Sequence, residues 1–144
     1  MKSIVTIVVV VLALVSPTLY AGTAPTGTTG TVSINFSTDD SGEATGSMWP
    51  TRSSKNDVER MGCAYIGNED DKWTLCTAID ADGVYVRCFT SNPNMMDAVQ
   101  AISPFSWVRF NFENLDSDTR DADCTEIVVS TRSSHLPDFT TKGK

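Results

Sequence analysis

Four cysteines, Cys63, Cys76, Cys88 and Cys124, constrain this chain more than any other feature. Three of them sit in successive apolar-rich runs, MGCAYIG, KWTLCTAI and VYVRCFTS, and the fourth opens CTEIVVSTR. Runs of this length, rich in β-branched and aromatic residues and separated by turn residues, are the signature of strands. Zinc would need close ligand pairs such as C-x-x-C, whereas the nearest two cysteines here are twelve positions apart. An even count in a small exported chain predicts two disulfides instead.

Export is read from the other end. Residues 1–21, MKSIVTIVVVVLALVSPTLYA, carry one early lysine, an apolar run from Ile4 to Val15, a Ser16-Pro17 break and the small residue Ala21. This is the layout of a secretory signal peptide, and the run is short for a bilayer span. Residues 22–30, GTAPTGTTG, have nothing to bury and read as a flexible leader. Residues 31–134 are expected to form a single β-rich domain, followed by a loose tail over 135–144. The protein is acidic, with 18 Asp and Glu against 11 Lys and Arg. That balance argues against nucleic acid, which demands clustered cations. Arg52, Lys55 and Arg60 form one loose basic group, interrupted by Asp57 and Glu59.

From Thr31 the chain alternates, with Val32, Ile34 and Phe36 on one face, so a half-buried strand is expected. STDDSGEATGS then reads as turn chemistry, and SMWPTRSSKND as a loop pinned by Trp49-Pro50. The three cysteine-bearing runs form a meander. Between the last two, D-A-D-G suits a three-residue hairpin loop with Gly83 left-handed, which pairs Asp80 with Val84 and sets Cys76 opposite Cys88. That register predicts Cys76–Cys88, leaving Cys63–Cys124, although other loop lengths would put the first two sulfurs on opposite faces.

One helix is expected, capped by Ser91 or Asn92 with Pro93 at its first position, and stopped by Ser103-Pro104. Met95, Ala98, Val99 and Ile102 give it an apolar stripe with Met96 alongside, which reads as core filling. FSWVRFNFE is apolar on both sides and should be a central strand. CTEIVVSTR is the last, with Ile127 and Val129 opposed to Cys124, Glu126 and Val128. The fold class is mainly β: a small antiparallel sheet or partly closed barrel with one helix and two disulfides.

Candidate sites are few. His135 begins the tail, a poor place to hold an imidazole in position through a third group, as Ser–His–Asp or Cys–His catalysis requires. Glu69, Asp70 and Asp71 in one loop, and Asp39, Asp40 and Glu43 in another, are the carboxylates a hydrolase could use, but turn-like segments keep such groups solvated. Asn114, Asp116 and Asp118 in NLDSDTRDADC have the spacing of the first calcium ligands, yet the sixth position is Thr119 and the twelfth Thr125. A hydrated turn between two strands is the expectation there. Trp49 and Trp73 are the candidate binding aromatics.

The layout C-A-Y…W-T-L-C…R-C-F-T-S-N-P, then W-V-R-F-N-F, then C-T-E-I-V-V-S-T-R-S-S, resembles small exported bacterial β-proteins that carry no assigned activity. The resemblance spans residues 60–135, rests on cysteine placement and strand endings, and implies no catalytic residues. The expected function is that of a secreted or periplasmic binding module with a protein or glycan partner, needing no cofactor and no membrane span. A small hydrolase using Glu69, Asp70 and Asp71, or a docking subunit or inhibitor, are the alternatives.

Overall fold

The computed structural model describes residues 32–132. The predicted signal segment, the leader and the tail with His135 lie outside them. The described residues form β1 (Val32–Phe36), β2 (Gly42–Ser47), α1 (Met48–Ser53), β3 (Arg60–Gly67), β4 (Lys72–Ile79), β5 (Tyr85–Thr90), α2 (Pro93–Gln100), β6 (Trp107–Glu113) and β7 (Asp121–Ser130). All strands join one sheet in the order β1-β2-β6-β7-β5-β4-β3. The sheet is mainly antiparallel and does not close, so β1 and β3 are its edges. It curls enough that β1 lies against β4 and β2 against β3.

Burial follows the alternation. Ala44, Met61, Cys76, Ala78, Val86, Cys88, Val108, Phe110, Phe112, Ala122, Cys124 and Ile127 are buried on the concave face. Helix α2 packs over β7, β3 and β4. Asn92 caps it by accepting from the Asn94 N–H at 2.9 Å, with Pro93 at its first position. Its most buried residues are Met96 and Val99, while Met95, Ala98 and Ile102 are half-buried against the core. The helix is thus rotated so that Met96, rather than Met95, points deepest.

The stretch expected to be turn and loop holds two regular elements. Gly42–Ser47 is β2, and its inward positions Gly42, Ala44 and Gly46 stand opposite Phe112, Phe110 and Val108. Small residues there make room for the large ones across the pair. A Cβ on Gly42 would sit 2.8 Å from Phe112 Cζ and collide with the Asn35 carbonyl oxygen. Met48–Ser53 is the short helix α1. A second departure concerns β7. Asn111 pairs with Glu126 but Phe112 pairs with Cys124, so Thr125 is bulged out. The bulge resets the alternation and places Cys124 and Ile127 on the same buried face.

The disulfides are Cys63–Cys76 and Cys88–Cys124, a correction to the expected pairing. The expected register is present: the Asp80 N–H donates to the Val84 carbonyl at 3.1 Å, Gly83 has φ of 81°, and Cys76 stands opposite Cys88. From the hydrogen-bonded Asp80/Val84 pair, every second step along the ladder is hydrogen-bonded, so Cys76/Cys88 is a wide pair. Cys76 then turns its bare side to β3 and meets Cys63 as a narrow pair, with Cα atoms 4.0 Å apart. Cβ atoms come closer in the narrow pair, toward the roughly 3.5–4.5 Å a disulfide needs. Cys63–Cys124 fails on distance. Their strands are three places apart in the sheet, roughly 14 Å at the usual spacing.

Replacing Gly42 with Ala should destabilise the domain by about 1–3 kcal/mol, because backbone rather than a flexible side-chain tip blocks the new methyl. Urea unfolding checks it, and an unchanged midpoint would contradict the packing of β2 on β6.

Candidate functional site

A cleft of about 650 Å³ lies at the unclosed side of the sheet. Three segments build it: α1 gives Met48, Trp49, Thr51 and Arg52, the entry of β3 gives Glu59, Arg60 and Met61, and the turn after α2 gives Ile102, Ser103 and Pro104.

Local hydrogen bonds hold each wall. The Met48 N–H donates to the Ser106 carbonyl at 2.9 Å, fastening the start of α1 to the turn before β6. Buried Ser106 in turn accepts from the Ser103 N–H at 2.9 Å through its hydroxyl. The Thr51 hydroxyl donates back to the Ser47 carbonyl at 2.8 Å. Between α1 and β3 the chain is folded by short side-chain turns: the Ser54 hydroxyl accepts from Asn56 N–H and the Asn56 side-chain oxygen from Val58 N–H. Glu59 then crosses the gap between the sheet edges. Only 7% exposed, it accepts from the Val32 N–H at 3.3 Å and from the Ser54 hydroxyl at 3.1 Å.

The cleft surface is therefore apolar, and its polar groups are mostly committed. Met48, Met61 and Ile102 form the walls, and Trp49 tilts against Phe105 with ring centroids 5.6 Å apart. Both rings are exposed, at 38% and 40%. Arg52 and Arg60 stand at the exposed rim. The sheet's other arginines are engaged. Arg87 pairs with Asp121 at 2.6 Å and Arg109 with Glu126 at 2.7 Å. Arg120 donates to the Tyr85 carbonyl and lies over the Phe36 ring. Among the described residues, Arg52 and Arg60 form no ion pair. Of the basic group visible in the sequence, Arg52 and Arg60 but not Lys55 line this cleft, while Met48, Met61 and Ile102 carried no signal that would bring them together.

Trp73 lies elsewhere. It is half-buried on the convex face, 5.7 Å from Phe89, in a shallower depression of about 380 Å³ with Thr90, Ser91 and Asp123. Glu69, Asp70 and Asp71 are exposed in the β3–β4 turn, where the Asn68 side-chain oxygen accepts from the Asp70 and Asp71 N–H groups. They line neither concavity. Asp40 accepts from the Thr38 hydroxyl, and Glu43 lies 3.7 Å from Arg109.

The acidic stretch after β6 is a turn organised by one carboxylate. Asp116 Oδ1 accepts from the N–H groups of Asp118 and Thr119, at 2.9 and 2.7 Å, and from the Thr119 hydroxyl at 3.1 Å. Asn114 and Arg120 take left-handed φ values of 56° and 62° at its two ends, and the Asn114 amide donates to Asp123 at 2.8 Å. Asn114 and Asp116 are thereby used within the protein, and no cluster of metal-ligating side chains occurs among the described residues. No helix among them is long and apolar enough to cross a membrane. Comparison of the chain with family models, curated proteins and solved structures finds no match.

The backbone donors of Thr119 and Asp118 hold the Asp116 carboxyl below the usual carboxylate range. A group whose pKa falls on folding contributes stability above its unfolded value and loses it as pH drops through the lowered one. An NMR titration should therefore find Asp116 titrating below the ordinary value of an aspartate side chain. Asp116→Asn, whose side-chain oxygen still accepts, should keep the turn but lose that acid sensitivity. An ordinary midpoint for Asp116 would contradict the three hydrogen bonds.

Proposed function

We propose that this chain is an exported, non-catalytic binding module whose ligand enters the cleft between α1, the start of β3 and the turn after α2. The observation that carries the reading is the exposed Trp49–Phe105 pair beside an apolar hollow. Exposed aromatics at the mouth of a concavity, with apolar walls and a few polar groups at the rim, are the usual make-up of a ligand site. The two disulfides suit a module working outside the reducing cytoplasm.

A glycan is the weaker of the partner classes expected from the sequence. Sugar hydroxyls ask for uncommitted polar side chains, and here Thr51 and Ser103 already hydrogen-bond within the protein. The hydrolase alternative would rest on Glu69, Asp70 and Asp71, which face solvent in a tight turn and line neither of the two hollows described above.

A fragment library screened by methyl NMR of the methionines tests the site. Binders should cluster on Met48 and Met61 and weaken about tenfold or more in Trp49→Ala, as expected for an aromatic anchor. Binders scattered over the surface, or gathered at Trp73 and Phe89, would contradict the reading.

A further inference from the structure

We infer that the cleft selects a small anionic amphiphile: an acyl chain ending in a carboxylate. This rests on the reading of the cleft as the ligand site and adds the chemistry of what fills it.

Three observations point the same way. First, the walls are thioether and aliphatic carbon from Met48, Met61 and Ile102, closed at one side by the Trp49 ring. Unbranched methionines adapt to flexible chains better than rigid walls do. Second, the volume of about 650 Å³ falls within the usual range for small-ligand sites. Third, the rim groups are of one kind. Arg52 and Arg60 line the cleft without an ion pair among the described residues, in a protein with a formal charge of −7. An acidic surface that leaves two guanidinium groups unpaired beside one apolar hollow is complementary to a single anionic head. Arginine also presents paired N–H donors that match a carboxylate.

The one opposing charge is Glu59. It is buried, and both of its oxygens already accept hydrogen bonds, from Val32 N–H and the Ser54 hydroxyl. It therefore offsets part of the guanidinium field without offering its oxygens to a ligand. Two cations against one anion leave the cleft positive, so a cationic amphiphile is the wrong sign.

The experiment uses the protein with its disulfides intact and 13C-labelled methionine methyls. Decanoate, decanol and decyltrimethylammonium are titrated in turn at pH 7. Decanoate should shift Met48 and Met61 with little change at Met95 and Met96, and should bind more tightly than decanol. Lengthening from octanoate to decanoate should tighten binding about fourfold per added CH2. Replacing Arg52 and Arg60 with Gln should weaken decanoate about fivefold and leave decanol unchanged, the size expected for two solvent-exposed pairs.

Equal binding of decanoate and decanol, or tighter binding of the cation, would overturn the inference. So would acetyl-Asp-Phe-Asp-amide shifting the same methyls at lower concentration than decanoate. Shifts of Met48 and Met61 that grow with protein concentration alone would put a second copy in the cleft and overturn it too. If library fragments still gather on these methyls while decanoate shows no preference, only the ligand class falls and the site remains.

Discussion

The structure depends on a short parallel junction. Strands β3, β4 and β5 form one antiparallel meander, and β1, β2, β6 and β7 form another antiparallel block. The blocks meet where β5 and β7 run parallel over three pairs, Arg87 with Asp121, Cys88 with Ala122, and Phe89 with Asp123. Three pairs are little to hold two halves of a sheet. Cys88–Cys124 bonds this junction covalently, the Arg87–Asp121 ion pair clasps its outer face, and the Arg87 N–H donates to the Arg120 carbonyl at 3.0 Å. In chain-entropy terms a bridge across a separation of 36 residues contributes about 4 kcal/mol, against about 3 for the 13-residue separation of Cys63–Cys76. The longer bridge is the one placed where the ladder is shortest.

The cleft follows from that arrangement. Its α1 wall is carried by the block containing β2, its Glu59–Met61 wall belongs to the meander, and the third wall comes from the connection between α2 and β6. A closed barrel would have covered this gap with a continuous ladder. Here the two edges remain unpaired with each other, and the buried carboxylate of Glu59 spans from the β3 entry to the first amide of β1. The site thus lies on the open side of the sheet, where both halves contribute side chains. Fixing β5 to β7 fixes its width.

Much of the fold was legible because local rules agreed with the tertiary ones. The D-A-D-G hairpin, with left-handed Gly83 and the Asp80–Val84 pair, came out as its turn chemistry dictates. Asn92 and Pro93 start α2 as read. β2 was hidden because its inward residues are Gly42, Ala44 and Gly46. They carry no hydrophobic signal, and their size makes sense only against Phe110 and Phe112, whose proximity is a tertiary fact. The bulge at Thr125 erased the period-two pattern across β7 in the same way. The register alone does not give the disulfide pairing, since the choice between Cys63 and Cys88 for Cys76 turns on which side of β4 is the narrow one. In the site, Trp49 and the basic residues stood out in the sequence, whereas the methionine and isoleucine walls are brought together by the curl of the sheet.

The bridge across the β5–β7 junction can be read directly from a tryptic digest of unreduced protein. Cleavage after Arg60, Lys72, Arg87, Arg109, Arg120 and Arg132 puts each cysteine in its own peptide. Mass spectrometry should find peptide 88–109 joined to 121–132, and 61–72 joined to 73–87. Peptide 73–87 joined to 88–109 would mean that the junction is not cross-linked, and would contradict the account.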